Sequence, residues 1–476
     1  MISPLADLDR HAAERPAVTA ISTPRGRYSF GELRDLTLAV AERLRGEGVT
    51  PRHVVALDLP AALEWIVDLA LLRIATRSVS VRGVPGLGTL QPDALISSPG
   101  ASRGLAPIML AVDDLWLAGA TAAASGADTL VDYPRPDSIV RLMMTSGTTG
   151  TPRAAAYAAN AFEHRRLGLD AYWTDARPEL DFMPLSTTGG FHTAVAALRH
   201  GEAFRAVDRI DAEVLRFAAD DGIRVLAGSP QQLATALDVV EESGIQLPAL
   251  EEVRMAGAAP GPALLRRIRE LLAVPIRIVY GSTEGGGMTS RMLDDEDSAN
   301  VGSVLPGFEL QVVDESGMPV APGVEGTLRY RGPGMVSGYL ENGTVAEFPG
   351  GWFVPGDLAS IDADGSVRLS GRASEIVNIG GLKVDPDRVD ELARSFPGVT
   401  DAAAFPVERA SGRAELGLAV VGRPGVDLRA LDRRLRELLP VGHPTAYWAV
   451  SEIPRNRMGK VERGMLAQTY ARVVGG

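Results

Sequence analysis

The sequence predicts an α/β protein, with a large N-terminal domain of two βα-layered subdomains plus a small distorted β-barrel, followed by a small α+β C-terminal domain. Three observations carry this. Amphipathic stretches alternate with short apolar runs over the first 135 residues. The alternation continues through residues 181 to 290, where apolar runs end in Gly-rich loops. From about residue 300 it gives way to short β-rich runs broken by Gly and Pro. In order, SFGELRDLTLAVAERLRGEG (29–48) reads as a helix, HVVALDLP (53–60) as a strand and AALEWIVDLALLRIA (61–75) as a second helix. GIRVLAGSP, LEEVRMAGAAPG and IRIVYGSTEGGG each read as a strand running into a loop, the place where α/β folds hold ligands. FELQVVDESGMPV and GTLRYRGPG read as barrel strands. Beyond Arg372, VDPDRVDELARSF and LRALDRRLRELL read as helices of the last domain, which sets the expected boundary between residues 1–372 and 373–476.

At 476 residues the chain is long enough for about three structural units. Apolar residues at 45%, charged residues at 23% and no cysteine exclude disulfides, zinc-thiolate sites, iron–sulfur clusters and a Cys nucleophile. A net charge of −12 without a basic run disfavours nucleic acid and anionic membrane surfaces as partners. The N-terminus lacks the basic-then-apolar pattern of a secretory signal, and no long uncharged apolar run occurs, so the expected location is the cytoplasm. Of 48 basic residues only Lys383 and Lys460 are lysine. A lysine spared by so strong an arginine bias is a candidate for a site that needs a compact, mobile ammonium.

Three constellations carry chemistry. Thr145-Ser146-Gly147-Thr148-Thr149-Gly150 with Arg153 follows the apolar run SIVRLMM, and hydroxyls with glycines after a strand can wrap a polyphosphate. The Walker pattern is absent, which disfavours P-loop chemistry; a solvated turn would look the same in isolation. Tyr280-Gly281-Ser282-Thr283-Glu284 ends an apolar run, offering a ring for a purine, a hydroxyl for a phosphate and a carboxylate for Mg²⁺. In GWFVPGDLASIDADGSVRLSGR, Asp364-Gly365 signals a two-residue hairpin loop. Asp357 lies seven residues before it and Arg372 seven after, so a regular hairpin sets them across from each other. Such a pair suits ribose hydroxyls, and equally a cross-strand ion pair.

Taken in order with PRNRMGK (454–460), these blocks resemble the adenylate-forming superfamily of acyl-CoA synthetases, nonribosomal peptide synthetase adenylation domains and luciferases. TSGTTGTPR (145–153), YGSTE (280–284), GTLRYRGPGMVSGY (326–339), GWFVPGD (351–357) and GRASEIVNIGGLKVDP (371–386) complete the resemblance. It implies a mobile C-terminal domain and the following roles. Thr145 to Gly150 and Arg153 hold phosphates; Tyr280 stacks on the adenine, with Gly257, Ala258 and Gly281 also binding the nucleotide; Thr283 contacts the α-phosphate; Glu284 binds Mg²⁺. Asp357 and Arg372 take the ribose. Lys460 is the catalytic lysine, Ser374 the hinge, and Gly380-Gly381 the loop at a thiol tunnel.

Departures from the family pattern bear on the substrate. Arg153 stands for the usual Lys, Ser374 for the usual Asp or Lys, and Ser186-Thr187 for an aromatic or His gate in MPLSTTGGFH. Thr187, Thr188, Gly190, Ser229, Ser282 and Gly285 are the expected pocket residues. The Asp of amino-acid-activating domains lacks its usual context at Asp181, which disfavours an amino acid. The expected activity is ATP- and Mg²⁺-dependent conversion of an aromatic or small apolar acid to its acyl-adenylate, then transfer to CoA. A carrier-protein thiol, an amine or a small inorganic nucleophile is the alternative acceptor, and a silent nucleotide-binding relative the alternative class. No general base is required, because a carboxylic acid (pKa ~4) is already ionised at neutral pH; the need is charge neutralisation.

Overall fold

The computed structural model describes residues 4–82, 87–100, 106–123, 134–145, 152–172, 177–295, 297–341, 343–372, 377–379, 382–408, 414–439, 442–455 and 461–475, for some of them, including Arg372 and Lys383, the backbone alone. The expected sites at Ser146 to Gly150, Ser374, Gly380, Gly381 and Lys460 lie outside the described residues. The chain divides into two compact units. The first comprises residues 1–259, 267–310 and 329–353; the second comprises 260–266, 311–328 and 354–476.

The first unit opens as the sequence predicts. The helix Phe30–Gly46 begins at a capping box, in which Ser29 Oγ accepts from Glu32 N and Glu32 Oε2 accepts from Ser29 N at 2.8 Å. Its Phe30, Leu33, Val40 and Leu44 face the core. The next helix, Ala61–Arg73, buries residues all round, charged ones included, because it is packed inside the layer and has no solvent face. These helices cover an eight-stranded sheet, ordered by first residue as 344, 338, 153, 139, 77, 54, 94 and 108. The strands beginning at 139, 77, 54, 94 and 108 run parallel, whereas Ile139–Thr145 and Arg153–Ala158 form an antiparallel pair, with Thr145 opposite Arg153, and the strands beginning at 338 and 344 continue antiparallel.

Within that core lies a fully buried ion cluster. Arg141 bonds Asp68, Glu64 (3.4 Å), Ser78 Oγ (3.2 Å) and the Leu185 carbonyl (2.8 Å). Removal from water outweighs the guanidinium's attraction, so the Glu64 carboxyl is pushed up to about 7 and that of Asp68 also rises.

The second sheet of this unit positions the candidate site. Glu179–Asp181, Val225–Gly228, Glu252–Ala256 and Ile276–Ser282 run parallel in neighbouring order, then Gly286–Leu293 and Asn300–Val304 return antiparallel. Four chain segments therefore leave the sheet along one carboxyl edge. Lower on these strands, Arg254 bridges Glu179 (2.6 Å) and Glu252 (3.1 Å), and Glu252 also accepts from Arg277.

In the second unit, the hairpin Asp357–Ile361 with Ser366–Arg372 corrects one expectation. The loop is not the two residues Asp364-Gly365. Ile361 pairs with Val367, Asp362 N bonds Ser366 O, and the turn is Ala363 to Gly365, with Gly365 at φ +86°. A type I turn followed by a left-handed glycine has this three-residue form. A bulge between Leu358 and Ala359 then restores the register, so Asp357 still pairs with Arg372. Gly326 and Thr327 extend this sheet by pairing with Ala359 and Leu358.

The last hundred residues are α+β, as expected. Val399–Glu408 and Ala414–Gly422 form an antiparallel pair, Ala446–Ala449 adds parallel to the latter, and helices Pro386–Arg394, Leu428–Leu438 and Arg463–Gly475 accompany them. Val389, Ala402, Leu418 and Leu431 form their core. On either side of residues 456–460, Arg455 pairs with Asp401 at 2.7 Å and Arg463 with Asp390 at 2.7 Å.

Candidate active site

The carboxyl edge of the second sheet carries the Phe182–Thr187 segment, Ser229, Gly257-Ala258 and the Tyr280–Gly285 segment. Gly257 and Ala258 are exposed there. Tyr280 is half-buried against Met288, Tyr330 and Met335. Ser282 shapes the turn that follows: its hydroxyl bonds Tyr330 Oη and accepts from Glu284 N (3.0 Å) and Gly285 N (3.1 Å). Gly281 sits across from Gly287 in the ladder, past a bulge at Tyr280.

Two hydroxyls converge on the Thr283 carbonyl. Tyr157 Oη donates at 2.6 Å and Thr188 Oγ1 at 3.2 Å, which fixes the backbone between Thr283 and Glu284. The Glu284 carboxylate is 6% exposed, and Tyr339 Oη donates to its Oε1. Burial, and then the negative charge of Glu284, raises the Tyr339 phenol well above its ordinary value, so it stays a donor.

Arg153 sits over that tyrosine, its guanidinium carbon 3.5 Å from the ring centroid, and bonds Glu341 at 3.2 Å. Arg165 lies inward of the Glu284 segment, on the helix Ala159–Tyr172. It donates to Gly334 O (2.5 Å) and Glu284 O (3.0 Å), meets His192 Nε2 at 2.8 Å and packs 4.3 Å from the Tyr157 ring centroid. Burial, and after it the guanidinium, hold His192 far below the usual imidazole range, so the ring is neutral and Nε2 accepts. Tyr157, Arg165, His192 and Tyr339 were not singled out from sequence. Tyr339 stands in the GMVSGY block, whereas the other three show no local signal, since their meaning comes from contacts more than 25 residues away in sequence.

Several expected pocket residues have local structural work. Thr187 caps the helix Thr188–His200 by accepting from Gly190 N at 3.3 Å, and its own hydroxyl donates to Pro184 O. Ser229 is fully buried as the N-cap of Pro230–Ser243, in a capping box with Gln232. Its signal was legible, since Ser-Pro-Gln-Gln has the capping pattern with Pro at the first turn. Thr188 and Gly285 border the Glu284 turn directly. In the second unit Asp357 is buried and stands opposite the Arg372 backbone.

The carboxyl edge thus sets strand-end loops around a buried carboxylate on a conformationally fixed Thr-Glu turn. Residues 92–340 match the family described as AMP-binding enzyme, and the chain belongs to it. It is an adenylate-forming ligase of the acid–CoA and acid–carrier-protein ligase kind. The 4-chlorobenzoate–CoA ligase of an Arthrobacter species is 27% identical over 495 residues, covering 96% of this chain and 93% of the relative. The fatty acid–acyl-carrier-protein ligase MmaC of Mycobacterium marinum is 29% identical over 417 residues, 79% of this chain and 77% of its own. The ATP-bound structure of MatB from Rhodopseudomonas palustris superposes with a TM-score of 0.86 at 25% identity, over 99% of this chain and 100% of that one.

Proposed function

We propose that the chain joins a small carboxylic acid, aromatic or of similar size, to AMP with release of pyrophosphate, and then passes the acyl group to CoA. The observation that carries this reading is the Thr283–Glu284 turn at the carboxyl edge, whose backbone is pinned by two hydroxyls and whose carboxylate is buried and oriented by Tyr339. Mg²⁺ fits this donor set. It is a hard cation that takes one or two carboxylates and fills its remaining positions from water and substrate phosphates. Among the described residues no group of three or more acidic, His or Cys side chains competes for it. When bound, the ion neutralises phosphate charge, and Glu284 is the residue that would hold it.

The rest of the assignment follows the motifs. Thr145 to Gly150 hold the terminal phosphates, Tyr280 covers the adenine, and Asp357 with Arg372 takes the ribose. Lys460, carried by residues 373–476 as a mobile domain hinged at Ser374, neutralises the reacting carboxylate and α-phosphate. Gly380-Gly381 then borders the thiol. The names of relatives support a small acid, 4-chlorobenzoate and oxalate among them.

The test is pyrophosphate release over a panel of acids, with and without CoA, with products identified by mass. Release with an acyl-CoA mass is the expected result; release with acyl-AMP alone moves the acceptor to a carrier thiol or an amine. In Lys460→Ala, adenylate formation is expected to fall at least a thousandfold, while a supplied acyl-adenylate still reacts with CoA. Equal loss of both halves would remove Lys460 from its role, and no release with any acid would overturn the reading.

A further inference from the structure

Arg165 is a buried cation whose described partners are all neutral. Its guanidinium is 4% exposed as a residue and bonds two backbone carbonyls and the neutral imidazole of His192. A buried charge is ordinarily paired with an opposite one, and a guanidinium set against dipoles alone is poorly compensated. Of the groups whose fields act on Arg165, namely Tyr157, Tyr330 and Glu284, only Glu284 carries negative charge. That carboxylate is directed to Tyr339 and, under the proposed function, to a divalent cation.

Its position connects this imbalance to the acid. A methyl group added at Gly286 would come within 2.8 Å of Arg165 Nη1 and 3.1 Å of His192 Cε1, so the pair lies directly against the backbone that follows Glu284. Gly286 has φ +78°, which favours glycine here on backbone grounds as well. The hydroxyls of Tyr157 and Thr188 complete the group, 3.1 Å from each other and both aimed at Thr283 O. An acid whose carboxylate reacts beside Thr283 and Glu284 places the rest of a small molecule within reach of these side chains. All four side chains are buried, and a wholly apolar body packed against them would leave the cation uncompensated.

We propose that Arg165, with His192 behind it, determines specificity by selecting acids that carry a second oxygen acceptor, whether a hydroxyl, a keto group or a second carboxylate. This rests on the proposed function and narrows its substrate class. The planar fork of an arginine is suited to such an oxygen, and His192, fixed as an acceptor on Nε2, holds the fork's orientation.

The experiment compares matched acids differing only in that acceptor: benzoate with its hydroxy and carboxy derivatives, and butyrate with a keto acid and succinate. The readout is kcat/KM for pyrophosphate release. The expected result is at least a tenfold preference for acceptor-bearing acids, with the hydroxy and carboxy arms showing whether the oxygen is neutral or anionic. In Arg165→Met the preference is expected to collapse to within twofold, through KM for the acid, while KM for ATP is unchanged. Arg165→Lys is expected to retain part of it. Wild-type enzyme without preference, or an equal fall for every acid in Arg165→Met, would make Arg165 a strut and overturn the inference while leaving the adenylation reading intact. If Arg165→Met does not fold, His192→Leu is the second variant, expected to cut the preference at least threefold; an unchanged preference there overturns the inference equally.

Discussion

The phenol of Tyr339 is where a single atom matters most to the assigned chemistry. It donates to Glu284 Oε1, is held protonated by burial and by that same carboxylate, and is itself covered by Arg153. Removing the oxygen leaves a buried carboxylate free to turn, and partners that orient a metal-binding side chain are worth roughly 10- to 100-fold in metal affinity. Tyr339→Phe is therefore expected to raise the Mg²⁺ concentration for half-maximal pyrophosphate release by about tenfold, with little change in thermal midpoint. A Mg²⁺ titration that does not move would reduce Tyr339 to a packing residue. Arg153 shows how far sequence reading reaches at this scale. Its cationic type was legible as a stand-in for lysine, but its position over Tyr339 and its bond to Glu341 depend on a strand nearly two hundred residues further on, which no local pattern reports.

At the scale of elements, the N-terminus of the helix Thr188–His200 ties folding to the site. Thr187 satisfies Gly190 N, and the next residue, Thr188, fixes the Thr283 carbonyl. Loss of such a cap costs about 1 kcal/mol. Thr187→Ala is thus expected to lower the thermal midpoint by roughly 2 °C and to reduce kcat along with it, whereas Thr187→Ser preserves both. A destabilised variant with unaltered kcat would show that the helix start does not set the Thr283 turn. Element positions were mostly readable. The helix at 61–75 is observed as Ala61–Arg73, and the strand at 53–60 as Val54–Asp58. What escaped was register. A three-residue turn at Ala363 to Gly365 and a bulge near Leu358 offset each other, so the expected Asp357–Arg372 pairing is present although the loop that suggested it has a different length. Aspartate and glycine at a turn signal reversal, but they do not distinguish two loop residues from three.

Across the whole molecule, the arginine bias acquires a structural meaning in buried carboxylates held by guanidinium forks. Arg141 joins Glu64 and Asp68, Arg254 joins Glu179 and Glu252, and Arg463 joins the buried Asp390 and the exposed Asp387. Part of this was visible, since Glu64 and Asp68 are four apart on one helix, but Arg141 reaches them only through tertiary packing. Burial pushes Glu64 and Glu179 up to about 7 and Asp390 up to about 6, and outside the clusters it pushes Asp181 up to about 6; Glu252, buried too but surrounded by Arg254, Arg277 and Arg177, is lowered. A carboxyl with a raised folded-state pKa binds its proton more tightly in the native state than in the unfolded chain. Its contribution to stability is therefore complete below the unfolded value and declines as pH rises from about 4 towards the folded value. Surface carboxylates act in the opposite sense: Asp364 and Asp427 are lowered by backbone N–H donors, and Asp295 chiefly by Arg291, so their contribution is lost as pH falls below about 4. The thermal midpoint is accordingly expected to peak on the acidic side of neutrality and to fall between pH 5 and pH 7, flattening above pH 8. Glu64→Gln and Glu179→Gln, neutral at every pH, are each expected to make that decline shallower. A midpoint that rises from pH 5 to pH 7, or a slope unaltered in both variants, would mean that these carboxyls are ionised in the native protein and that the arginine forks outweigh their burial.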